Sequence, residues 1–382
     1  MTLKLQANIP GNGFAEIVVS NGSILRVTRL GDEEPEAVSI SPGLIDLQLN
    51  GFNGVDFSAA TLEVEQVLSM LTALLRTGTT TFCPTLITNS QESLIRNLRV
   101  LEQARRASPH LRSAVPCYHL EGPYFAPGEA QGIHNPAFMR PPHWEEFSDL
   151  QHAAGGNIGI VTLAPELPGA CEFIRQAKAS GVLIAIGHTM ATAEEIHRAV
   201  EAGADFSTHL GNGCPQWMHR HDSPFWAQLA DDHLSASIIC DTFHLPPELV
   251  KVITRAKGID RCLLVTDSIF VAGLSPGRYS ILGIDVELLP SGKVVKTSSW
   301  SLAGSSLCMN RAVSVFMQFA QVSPAEALQA ATTNPARLLS RPGICSGIAA
   351  GQPANLMLFR VRSDSLQVEQ VILNGVDVFH NY

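Results

Sequence analysis

Carboxylates, imidazoles and side-chain amides recur in this chain at one kind of place, directly after short β-rich runs. Gln48-Leu49-Asn50-Gly51 follows one such run, and His119-Leu120-Glu121-Gly122-Pro123 closes another. Further along stand Gly187-His188-Thr189, Thr208-His209-Leu210-Gly211-Asn212, Asp241-Thr242-Phe243-His244 and Thr266-Asp267-Ser268. One histidine at a strand end is ordinarily explained by a structural hydrogen bond, and one aspartate by a helix cap or a salt bridge. Six polar strand ends, each preceded by apolar residues, are not explained by core packing. Glu121, His188 and His209 supply one carboxylate and two imidazoles, the donor set of a hydrolytic divalent-metal site with an open position. Such a site lowers the pKa of bound water towards ~7 and makes hydroxide available at neutral pH. Asp267 is expected across from it, placed to take and return a proton.

The elements that would carry these residues alternate between strand and helix. Candidate strands are Leu44–Leu49, Thr79–Thr85, Val115–Leu120, Ile158–Leu163, Leu183–Ile186, Phe206–Leu210, Ala236–Cys240 and Cys262–Thr266. Val64, Val67, Leu68, Leu71, Leu74 and Leu75 form an apolar helical stripe that Gly78 stops. Thr192-Ala193-Glu194-Glu195 and Ser323-Pro324-Ala325-Glu326 read as capping boxes opening two further helices. Repeated βα units in this number fit a closed (β/α)8 TIM-like barrel, whose active sites lie at the C-terminal ends of the strands. An open doubly wound sheet is the alternative, but neither GxGxxG nor GxxxxGK[ST] follows a strand. At both chain ends, Asn-Gly (21–22 and 374–375) interrupts β-rich runs, the signature of tight hairpins. The expected organisation is a small β-sandwich domain from residues 1–41 and 346–382 around a barrel at 42–345.

Composition narrows the function. The chain has 382 residues, 45% of them hydrophobic, enough for a large core. With 26 Lys+Arg against 35 Asp+Glu its net charge is −9, and no basic run is present. Nucleic acid and anionic membrane are therefore not expected partners. No stretch approaches the ~18 apolar residues of a membrane span, and the opening MTLKLQANIP does not read as a signal peptide. The eight cysteines form no CxxC pair and sit mostly in apolar context, so a reduced, cytoplasmic protein without disulfides is expected.

HLEGP (119–123), IHNP (133–136), VTLAPE (161–166), GHT (187–189), THL-x-N (208–212), VTD (265–267) and LAGS (302–305) resemble, in order, the motifs of the N-acetylglucosamine-6-phosphate deacetylases of the amidohydrolase superfamily. PGLIDLQLNG (42–51) and NPA (334–336) agree. The resemblance implies a barrel with a small β domain built from both chain ends. It implies metal ligation by Glu121, His188 and His209, catalysis by Asp267 and His244, and substrate contacts from His134 and His244. Asn212, Gly213 and Arg220 fall where the family binds the substrate phosphate, partly across a homodimer interface.

Two departures bear on the metal. The His-x-His with which many amidohydrolases begin is replaced by Gln48-x-Asn50, and amides are weak Zn2+ ligands. No lysine stands near Glu166 to bridge a second ion. One divalent ion per chain is expected, Zn2+ first, with Fe2+, Co2+ and Mn2+ compatible with the same ligands. Other departures bear on the substrate: Asn212-Gly213-Cys214-Pro215 replaces the usual Asn-Ala-Met, and Thr242-Phe243 is bulkier than the family's glycine-containing segment. The activity expected is metal-dependent removal of the N-acetyl group of an amino sugar, foremost N-acetylglucosamine 6-phosphate, giving the free amine and acetate. Two readings stand beside it. One is an amidohydrolase acting on a different, non-phosphorylated N-acyl sugar. The other is an inactive sugar-phosphate-binding protein, disfavoured because all three ligands and Asp267 are present.

Overall fold

In the computed structural model, which describes residues 2–281 and 283–381, eight short parallel strands pair in chain order around a barrel. They are β1 (Leu44–Leu49), β2 (Thr79–Ile87), β3 (Tyr118–Glu121), β4 (Ile158–Leu163), β5 (Leu183–Ile186), β6 (Phe206–Ser207), β7 (Ser235–Ile239) and β8 (Cys262–Val265). Nearly every strand residue is buried, as expected when helices cover one face and the barrel interior the other. Helices such as Val64–Leu75, Gln91–Ala107, Ala170–Ala179, Ala193–Ala202 and Pro247–Lys257 link successive strands. Their apolar sides join the strands in one continuous core. Both capping boxes form: Thr192 Oγ1 accepts from Glu195 N, and Ser323 Oγ from Glu326 N.

The barrel closes at its rim rather than along full strands. β8 and β1 meet through the Leu49–Ser268 bridge, with Asp267 N donating to Gln48 O at 3.0 Å and Asn50 N to Ser268 O at 2.8 Å. Below this seam lies the carboxyl of Asp46, wholly buried, accepting from Thr266 Oγ1 at 2.5 Å and from the backbone N–H of Thr266 and Gln48, each at 3.2 Å. Burial pushes this carboxyl up to about 7 against those hydrogen bonds.

Two strands differ from expectation for local reasons. β3 begins at Tyr118 because a short helix, Pro109–Ala114, precedes it and Pro116 has no N–H to give a ladder. β6 is only two residues long, since the chain turns out of the sheet to aim His209 inward: His209 has φ 31° and Gly211 φ 92°.

The chain ends form one seven-stranded sheet. Its order is Val376–His380, Ser365–Leu373, Leu356–Arg362, Ser39–Pro42, Thr2–Ile9, Gly13–Ser20 and Ser23–Gly31. The N- and C-terminal portions join where Ser39–Pro42 pairs antiparallel with Leu356–Phe359. Both Asn-Gly turns take positive φ, Asn21 at 51° and Asn374 at 52°. An unforeseen three-stranded sheet, Gly277–Ile281, Ile284–Leu288 and Val294–Lys296, is inserted after β8 around its own cluster of Ile269, Val271, Val286, Leu288 and Val294. Among the described residues no helix is long and apolar enough to cross a membrane, and all eight cysteines are free.

Candidate active site

The polar strand ends converge at the C-terminal mouth of the barrel. Glu121 ends β3, His188 lies two residues past β5, and His209 two residues past β6. All three are buried, with ligand atoms within 4.8 Å of one another. Glu121 Oε1 faces His188 Nε2 at 3.3 Å and His209 Nε2 at 3.0 Å, and the two imidazole nitrogens are 3.1 Å apart. His188, His209 and Asp267 all hold positive φ (50°, 31° and 50°), a region that non-glycine residues seldom occupy and that concentrates at functional sites.

The hydrogen bonds around this cluster test its fitness for a metal. His188 Nδ1 lies 2.9 Å from the Ala130 carbonyl, which can only accept, so Nδ1 carries the proton. In the neutral ring Nε2 then presents a lone pair towards Glu121 and His209, an arrangement that a cation between them relieves. Burial raises Glu121, and N–H donation or positive charge from His188 and His209, or a cation in their place, holds its carboxyl well below the usual range. Two nitrogens and one carboxylate oxygen, buried and mutually close, fit a divalent ion. His119, by contrast, is spent structurally. Its Nδ1 donates to Leu47 O at 2.9 Å and its Nε2 meets Thr162 Oγ1 at 2.7 Å, while burial lowers it to about 4.

Asp267 follows β8 across the mouth from Glu121. Its Oδ1 accepts from Asn50 Nδ2 at 2.6 Å and from Gln48 Nε2 at 3.1 Å, and the same Gln48 Nε2 is 2.7 Å from Glu121 Oε1. Gln48 and Asn50 are thus donors that orient two carboxylates. Burial, with the Glu121 charge adding, pushes Asp267 up to about 6. A cavity of about 150 Å3 is lined by Asn50, Glu121, His134, His188, His209, Asn212, Gly213, His244 and Asp267, together with Ile87, Gly132, Ile133, Leu302 and Gly304. Gly213 must be a glycine there: φ is +57°, and a Cβ would lie 2.8 Å from His188 Nδ1.

A family model, that of the amidohydrolase family, matches residues 39–378. The chain is 32% identical to N-acetylgalactosamine-6-phosphate deacetylase of Escherichia coli O157:H7, over 90% of this chain and 88% of that one. It is 34% identical to N-acetylglucosamine-6-phosphate deacetylase of Bos taurus, over 91% and 85%. The crystal structure of N-acetyl-D-glucosamine-6-phosphate deacetylase from Mycobacterium smegmatis superposes with a TM-score of 0.88 at 29% identity, covering 99% of this chain and all of that one. The chain belongs to the N-acetylglucosamine-6-phosphate deacetylase family of the amidohydrolases. It is therefore a hydrolase acting on an amide, on a fold whose superfamily is metal-dependent.

Of the sequence-predicted residues, this deacetylase-family site gathers Glu121, His188, His209, Asp267, His244, His134, Asn212 and Gly213 in one cavity. Arg220 is not in its wall. It lies exposed on the loop after β6, its carbonyl accepting from Trp226 Nε1 at 3.0 Å. Asp241 was not assigned a role from sequence, yet it holds His244. Its Oδ2 accepts from His244 Nδ1 at 2.7 Å, and its Oδ1 from the N–H groups of Phe243 (2.8 Å) and His244 (2.9 Å). Burial would raise Asp241, but the His244 contact keeps it below the ordinary carboxylate value. The D-x-x-H spacing was the available signal. Ser237, whose Oγ accepts from His209 N at 2.7 Å, gave none.

Proposed function

We propose that this protein hydrolyses the N-acetyl group of N-acetylglucosamine 6-phosphate to the free amine and acetate. The observation that carries the proposal is the buried Glu121/His188/His209 set facing the Asp267 carboxyl across one small cavity. The names of the relatives support the substrate.

Glu121, His188 and His209 would hold one divalent ion, Zn2+ first, with Fe2+, Co2+ or Mn2+ as alternatives. Bound there, the ion supplies Lewis acidity to the amide carbonyl and makes water a stronger acid. Asp267 is fixed through Oδ1 by Asn50 and Gln48, which leaves Oδ2 for proton transfer. It accepts a proton from the attacking water and delivers it to the departing nitrogen, without which the tetrahedral intermediate reverts. His244, its ring oriented by Asp241, contacts the reacting carbonyl. His134, edge-on to His188 with ring centroids 4.3 Å apart, contacts the sugar. Asn212 and Gly213 offer the substrate phosphate a contact beside them.

Arg220 would complete the phosphate contact from the neighbouring subunit of a homodimer. Its loop carries the apolar surface such a partner would cover: Trp217 is 85% exposed, close in sequence to the exposed Met218 and Trp226. The setting proposed is the cytoplasm, with a small sugar as the substrate. The second reading, a differently substituted or unphosphorylated N-acyl sugar, is favoured by the absence of Arg220 from its own chain's pocket. Acetate release from N-acetylglucosamine, its 6-phosphate and the galactosamine 6-phosphate analogue separates the readings. The proposal expects the highest kcat/KM on N-acetylglucosamine 6-phosphate, and a preference for the unphosphorylated sugar overturns it.

A further inference from the structure

The catalytic cavity is too small and too weakly cationic for the substrate proposed above. Its volume of about 150 Å3 falls below the ~300 Å3 at which small-ligand pockets begin, so the substrate must extend beyond it. Among the described residues, none lining it is a lysine or arginine. A second cavity of about 460 Å3 adjoins it, sharing Ile87, Gly132, Ile133 and His134 as a common wall. Among the described residues one cation lines that second cavity, Lys296, at the end of the inserted three-stranded sheet.

Lys296 is unusually placed for a lysine. It is half-buried, and its Nζ lies 3.3 Å from the Gly132 carbonyl; it makes no ion pair among the described residues. Partial burial holds its ammonium below the usual lysine range. Gly132 and Gly213 press on the same ring, a Cβ on the first lying 3.1 Å from His188 Cε1 and on the second 2.8 Å from His188 Nδ1. The Gly132 loop thus borders the His188 ring on one side and Lys296 on the other. A chain at −9 repels anions at long range, so an anionic substrate needs such an uncompensated cation close to the reacting centre.

We infer that Lys296 is a specificity-determining residue, the chain's own cation for the anionic group of an N-acyl amino-sugar phosphate lodged across the two cavities. This rests on the deacetylase reading and adds a residue to it. The inserted sheet thereby acquires a purpose: it brings a positive charge to a rim that the eight barrel strands leave without one.

The test compares wild type, Lys296→Met, Lys296→Arg and Arg220→Ala on N-acetylglucosamine 6-phosphate and on N-acetylglucosamine. Losing a charge-assisted hydrogen bond lowers affinity roughly 10- to 150-fold. Lys296→Met should raise KM for the phosphate ester by about that factor, with a much smaller change on the neutral sugar, and Lys296→Arg should restore most of it. Equal losses on both sugars would show that Lys296 only tethers the Gly132 loop, and would overturn the inference. So would an unchanged phosphate KM in Lys296→Met beside a raised one in Arg220→Ala. Binding of glucosamine 6-phosphate, read by calorimetry, keeps the result independent of turnover. If wild type releases no acetate, the deacetylase reading fails, while Lys296-dependent binding would still uphold the anion site. Binding equal in wild type and Lys296→Met, or absent from both, overturns it.

Discussion

Asp267→Asn is the substitution that separates proton transfer from every other task at the site. Asp267 Oδ1 accepts two amide N–H groups, from Asn50 at 2.6 Å and Gln48 at 3.1 Å. An asparagine there keeps its carbonyl oxygen against those donors, because the opposite flip would set NH2 against two NH2 groups. The side chain thus stays in place, and Glu121, His188 and His209 are untouched. What disappears is a carboxylate able to accept a proton. General acid–base catalysis contributes typically ~10²–10⁴-fold, which is about 2.7–5.5 kcal/mol of barrier. Turnover of N-acetylglucosamine 6-phosphate should fall by at least ~100-fold, with metal content measured on the same sample equal to that of wild type. Near-normal kcat in a metal-replete Asp267→Asn protein would refute the role given to Asp267. Loss of metal along with rate would instead place Asp267 among the ligands.

Either His188→Ala or His209→Ala should lose both the ion and the activity, because two donors cannot close the site; elemental analysis of the purified variants checks this. Asp241→Asn should lower kcat by roughly 10- to 100-fold, since the new amide N–H2 would face His244 Nδ1 and force the other tautomer, whereas metal content should not change. Asp46 predicts a stability effect of definite sign. Its carboxyl is near 7 in the fold against 3.8 unfolded, so the folded state holds the proton more tightly. The stability it contributes is complete below about pH 4 and is lost as pH rises through 7, a span on the order of 4 kcal/mol. Asp46→Asn should therefore flatten the fall in Tm between pH 5 and pH 8 at fixed metal loading, and an unchanged slope would contradict the burial argument.

The site was legible where chemistry and local pattern coincide. Glu121, His188 and Asp267 each close a run rich in apolar residues and His209 follows the short Phe206-Ser207 strand, and in a parallel barrel that position faces the mouth. The helix boundaries at Thr192 and Ser323 were legible because a capping box is written in four consecutive residues. Asp241 stood in plain view, but its role depends on a 2.7 Å contact that spacing alone does not specify. Asp46 lies inside an apolar strand, and only the barrel closure brings Thr266 to it. Lys296 left no trace in the motifs. It arrives on an inserted sheet whose placement is fixed by packing around Val271, Val286 and Val294, far from the strand ends in pattern though near them in space. Arg220 shows the converse. Its position in the sequence was readable, but a single chain leaves its loop exposed.

Acetate release from N-acetylglucosamine 6-phosphate, measured before chelation, after chelation and after return of one equivalent of divalent ion, tests the central claim most directly. The Glu121/His188/His209 site predicts turnover in the first state, none in the second and recovery in the third. No acetate from the metal-replete protein, or an undiminished rate after the ion has been removed, would contradict it.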